Sequence, residues 1–122
     1  MPAPSADVTT RVAQLVKQAH TAHQRFAQKR SGTERLIAAA KGAAVASESW
    51  SVASVALADL NSARSDALVA LCELDGIYAA EAIKAAETGS MGNADAAAVA
   101  HQEVSALVSE EDGILAHLRA RL

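Results

Sequence analysis

Residues 48–87 read ESWSVASVALADLNSARSDALVALCELDGIYAAEAIKAAE, a run with no proline and a single glycine, Gly76. Alanine and leucine dominate it, and both are strong helix formers. The run predicts one helix of about 40 residues, roughly 60 Å long at 1.5 Å per residue. In heptads, Trp50, Leu57, Arg64, Leu71, Tyr78 and Ala85 fall at position a. Ala53, Leu60, Ala67, Leu74 and Glu81 fall at position d. Large and small residues thus alternate along one coiled-coil-like seam, where alanine lets two helices approach closely. The expected core seam is Trp50, Leu57, Leu60, Arg64, Leu71, Leu74 and Tyr78. Asp59, Asp66, Glu73 and Glu87 all occupy position c and are expected to form a solvated face.

Two members of this helix break the pattern. Arg64 interrupts an apolar row. Either it is half-buried and paired with an acid of another helix, with Glu34, Glu110 and Glu111 as candidates, or its stem lies along the seam while its head reaches water. Val55, Val69 and Ile83 recur every fourteen residues at position f, outside the seam, with Val52 beside them. A helix with one buried face carries polar residues there. These four residues are therefore the expected interface, covered by a third helix of the same chain, by a second copy or by a partner protein.

Outward from this helix, Ser47-Glu48-Ser49 offers a cap at its start, and Gly42 marks the end of the preceding segment. Thr88-Gly89-Ser90-Met91-Gly92-Asn93 is the clearest break in the chain, with Asn93 placed to cap a last helix. The seam of that helix runs through Ala97, Ala100, Val104, Leu107, Glu111, Ile114 and Leu118, and a bend is expected near Ser109–Gly113. Toward the N-terminus, Pro4-Ser5-Ala6-Asp7 suits a helix start. Val8, Val12, Leu15, Ala19, Ala22 and Phe26 then recur at helical spacing. Ser31 and Glu34 have capping-box spacing, so the first helix is either continuous through Gly32 or restarted there. The expected fold is all-α: an antiparallel bundle of three long helices in one domain, residues 1–122, with the break near Gly32 left open.

Composition limits what such a bundle can do. Alanine supplies 31 of 122 residues, while Leu, Ile, Val and Phe together supply 26. Alanine buries little area, so the core is thin, and a thin core favours completion by a homodimer or another protein. Residues 1–41 hold seven Lys/Arg against two acids, and residues 42–122 hold four against twelve. Complementary packing of the first helix on the others accounts for this asymmetry. The competing reading is an anionic partner for residues 5–30. An overall charge of −3 and three aromatics argue against nucleic acid. The richest apolar stretch, Leu36–Ala46, falls well short of the about 20 residues a membrane span needs. A lone cysteine and an N-terminus without a basic region and apolar stretch suit a cytoplasmic protein.

Candidate chemistry is sparse. His20 and His23 lie one turn apart, yet no third ligand stands at metal-site spacing, so no metal and no cofactor is expected. Cys72, beside Glu73, lacks the cationic surroundings of a reactive thiol and reads as a half-buried filler. Glu110 and Glu111 stand at an apparent helix restart that would solvate both. No phosphate loop or nucleophile elbow occurs, and no catalytic residue is assigned. The chain therefore reads as a non-enzymatic helical interaction module: an adaptor, a chaperone-like binder or an assembly subunit acting through apolar helix faces. The alternative is a small regulatory bundle holding an apolar molecule in its core.

Overall fold

The structure, a computed structural model, describes residues 6–44 and 47–122. It contains three helices: α1 (Ala6–Ala39), α2 (Glu48–Thr88) and α3 (Gly92–Arg121). No strand occurs among the described residues. The chain is an all-α bundle of three long helices packed against one another. Contacts between particular residues give the directions. Arg11 meets Glu73 and Arg25 meets Asp66, so α1 and α2 run antiparallel. Arg64 meets Asp112 while Asp75 meets His101, so α2 and α3 are antiparallel as well.

Local chemistry accounts for the helix ends. Ser47 Oγ accepts a hydrogen bond from Trp50 N–H at 3.2 Å and caps α2. Gly89 ends α2 with φ of 77° and donates its N–H to Ala85 O at 2.8 Å, a left-handed turn that glycine adopts without steric cost. Gly42, at φ 80°, makes the corresponding turn after α1. The cap expected at Ser5 lies outside the described residues.

One open boundary is settled, at Gly32, and one expected cap, at Asn93, is corrected. Helix α1 runs unbroken through Gly32. There Glu34 pairs with Arg30 at 2.8 Å in place of a capping box, and Thr33 Oγ1 donates to Lys29 O at 2.9 Å. Helix α3 begins after Met91 without a side-chain cap. Asn93 Nδ2 instead donates to Glu81 Oε2 at 3.2 Å, tying the start of α3 to the end of α2. The helix continues through Ser109–Gly113.

The core forms two apolar clusters along the bundle. One joins Val12, Leu15, Ala19 and Ala22 of α1 to Ala67, Ala70 and Leu74 of α2 and to Ala97, Ala100, Val104 and Val108 of α3. The other joins Phe26 and Ile37 to Ala53, Leu60, Ala63, Leu115 and Leu118. The complementary charge of the helices is realised at their edges. Arg11 and Arg25 of α1 pair with Glu73 and Asp66 of α2, and His20 faces Glu103 of α3 at 3.3 Å. The c-position acids are thus exposed as expected, but two of them bind α1 and are not merely solvated.

Candidate functional site

The orientation of α2 decides which of its faces is left over. Its buried residues are Ala53, Leu60, Ala63, Ala67, Ala70, Leu74, Glu81 and Ala85. Helix α1 lies along the edge holding Asp66 and Glu73, and α3 along the edge holding Asn61, Arg64 and Asp75. The most buried line therefore points between two neighbours, toward positions d and g. It does not follow the a/d seam that a single partner would select. Leu60 and Leu74 are fully buried, whereas Trp50, Leu57, Arg64 and Leu71 are half-buried on the α3 side. Tyr78 is a correction: it is 42% exposed. Small residues close the contact between α2 and α3 there, with Ala85 facing the start of a helix that buries Ala94 and Ala97. The phenol ring lies outside the buried row, where its hydroxyl is open to solvent.

Arg64 adopts the first of its two expected arrangements, with a different partner. Its Nε donates to Asp112 Oδ1 at 2.6 Å, next in sequence to the candidate Glu111. The pair is partly exposed on both sides, and such pairs contribute little. Arg64→Leu is accordingly expected to shift stability by no more than about 1 kcal/mol in urea unfolding, since leucine would regain apolar burial. A loss well beyond that would mean that the pair sets the helix register.

The face opposite the buried line carries the predicted interface. Val55, Val69 and Ile83 are 63%, 51% and 64% exposed. No described helix of the chain covers them, so the third-helix account of this stripe does not hold. Val52 is also exposed but sits apart from the stripe, in a shallow groove with Leu36 and Ala39 at the end of α1. Cys72 is exposed on the outer face, which corrects its reading as a half-buried filler.

The second unusual feature lies inside. Glu111 takes a place in the buried row of α3, between Val108 and Leu115, and is wholly buried. This corrects its reading as a solvated acid at a helix start: the helix does not restart there, and the 3–4 spacing carries the side chain inward. Its Oε2 lies 3.3 Å from His23 Nδ1, while Oε1 has no hydrogen-bond partner. The other ring nitrogen of His23 is 3.7 Å from Glu110 Oε2. Burial raises the Glu111 carboxyl above the usual range. The hydrogen bond and charge of His23 oppose the rise, the charge of Asp112 adds to it, and that of Arg64 opposes it. The group marks the junction of the two apolar clusters. Its presence on the seam was legible from its spacing, and only its solvation was misread.

The remaining histidines do not gather. His20 faces Glu103, His23 faces Glu110 and Glu111, and His101 faces Asp75. Among the described residues, no three His, Cys, Asp or Glu side chains are arranged to hold a metal ion. No helix among them is long and apolar enough to cross a membrane. A surface groove of about 450 Å³ opens between α1 and α2, lined by Val8, Arg11, Glu73, Ile77 and Glu81. No family model matches the chain, and neither a curated protein nor a solved structure is detectably similar to it.

Proposed function

We propose that the protein is a non-enzymatic interaction module that works through the outer face of α2. The observation that carries this reading is the exposure of Val55, Val69 and Ile83 on a face that neither α1 nor α3 contacts. Exposed valine and isoleucine cost solvation free energy when left in water, and a recurring row of them along one helix face fits a docking partner. The thin alanine-rich core supports the same reading, because a second protein surface adds the buried area that the chain lacks by itself. An apolar ligand held in the core draws less support, since the centre is filled by Ala19, Ala67, Ala70 and Ala97, each wholly buried.

Site-specific photo-cross-linking tests the proposal. A photoreactive side chain is placed at Val69, and in a control at Gln28, an exposed position on α1. Both proteins are irradiated in lysate of the source cells. The expected result is a discrete adduct from position 69, to a second copy or to another protein, and none from position 28. Absence of any adduct specific to position 69 would end the reading.

A further inference from the structure

The outer face of α2 has an internal order that identifies its occupant. From Ser51 to Ala86 the positions on this face step alternately by four and three residues, and none carries a charge. The large members are Val55, Val69 and Ile83, and every member between them is Ala, Ser, Gly or Cys. This is a second heptad seam, opposite the first, with large residues at one kind of position only. Two antiparallel helices bring unlike seam positions into one layer. When a second copy is laid antiparallel with its dyad between the levels of Ala70 and Leu71, Val55 meets Ala86 of the other copy. Val69 then meets Cys72, and Ile83 meets Ala58. Every large residue on this face then faces Ala or Cys, whereas a slide of one heptad either way sets Ile83 against a serine, Ser51 or Ser65.

From this complementarity we infer that α2 pairs with α2 of a second copy, antiparallel and in that register, to form a symmetric dimer. The inference rests on the reading of this face as an interaction surface. Three further observations support a second copy as the occupant. The seam is about 50 Å long and about 10 Å wide, so two copies bury on the order of 1,000 Å², where specific interfaces begin. Of the acids flanking the seam, Asp66 and Glu73 are already matched by Arg25 and Arg11 of their own chain, and Asp75 lies 3.6 Å from His101. Gly76 stands on the seam with nothing of its own chain within 4 Å of where a Cβ would sit. That glycine weakens the helix in a monomer, whereas between two close-packed helices its small size has a use.

Cysteine cross-linking in a Cys72→Ser background tests both the pairing and its direction. Val55→Cys combined with Ala86→Cys is expected to give a covalent dimer with a short bis-maleimide. The two positions are about 46 Å apart along one helix, so any link joins two chains. Ala86→Cys alone is expected to stay unlinked. Light scattering of the unmodified protein is expected to give 25 kDa, twice the 12.5 kDa of one chain. Gly76→Leu, which meets open space within its own chain, is expected to keep full helicity and to weaken the dimer by about tenfold or more. A mass of one chain, a link formed by Ala86→Cys alone, or an unweakened Gly76→Leu dimer would overturn the inference. An adduct from Val69 to a different protein would overturn it as well, while leaving the interaction module standing.

Discussion

Phe26→Ala is expected to cost about 3–5 kcal/mol, the largest loss from any single truncation in this protein. Phe26 is the one aromatic ring wholly inside the bundle, at 1% exposure, and its neighbours in the second cluster are Ile37, Leu60, Leu115 and Leu118. Many of the remaining core positions are alanines, whose short side chains cannot move in to fill the cavity a lost ring leaves. Relaxation at the site is therefore poor, which places the cost toward the upper end of the range. Domains of this size are stable by about 5–15 kcal/mol, so the substitution removes a large share of the total. Thermal and urea unfolding followed by circular dichroism at 222 nm measure the change. Phe26→Leu keeps most of the volume and is expected to lose far less. If Phe26→Ala unfolds within about 1 kcal/mol of the original chain, the ring is not packed as described.

Glu111 is expected to act in the opposite direction. Its carboxyl is wholly buried at the junction of two apolar clusters, with one oxygen bonded to His23 and the other without a partner. Glu111→Leu would join the clusters into one core and is expected to stabilise the bundle at neutral pH by about 1–4 kcal/mol. The pH dependence follows from the raised carboxyl. The folded chain holds the Glu111 proton more tightly than the unfolded chain does. The stability that this proton contributes is fully present below the ordinary glutamate value and is lost as pH rises through the folded value. The groups facing Glu111 are His23 from α1, Arg64 from α2, and Glu110 and Asp112 beside it on α3. Glu111→Gln keeps the size and removes the titration. The melting temperature of Glu111→Gln minus that of the original chain is therefore expected to grow as pH rises from 4 to 8. A difference that stays constant over this range would show that the carboxyl is solvated in the folded state.

Arg64, which faces Glu111 and Asp112, lies on the same helix as Val69, five residues before it. The face that is buried in the bundle and the face that is left exposed are opposite sides of one rigid element. Substitutions on the outer side, such as Val55→Asp with Val69→Asp, leave the inner row of Leu60, Ala63, Ala67, Ala70 and Leu74 in place. The proposed association can therefore be tested without disturbing the inner row on which the fold rests.

Local sequence determined the elements themselves. The absence of proline after Pro4, the abundance of alanine, the Ser47 cap and the Gly89 turn act within a few residues of the chain. The long helix was expected over 48–87 and is found over Glu48–Thr88. The exposed row of Val55, Val69 and Ile83 was also legible, because its fourteen-residue spacing is a property of one helix alone. Tertiary structure decided what each face meets. Periodicity along a helix identifies an apolar side, but it does not set how far that helix is rotated or shifted against its neighbours. Contact with α1 and α3 together turned α2 so that Ala63 and Ala70 face the axis and Tyr78 faces water. The axial offset between α2 and α3 matched Arg64 with Asp112 and left Glu111, one residue earlier, pointing into the core. Rotation and offset follow from the close approach that alanine permits. That approach depends on side chains from three helices at once, so it is absent from the pattern of any one of them.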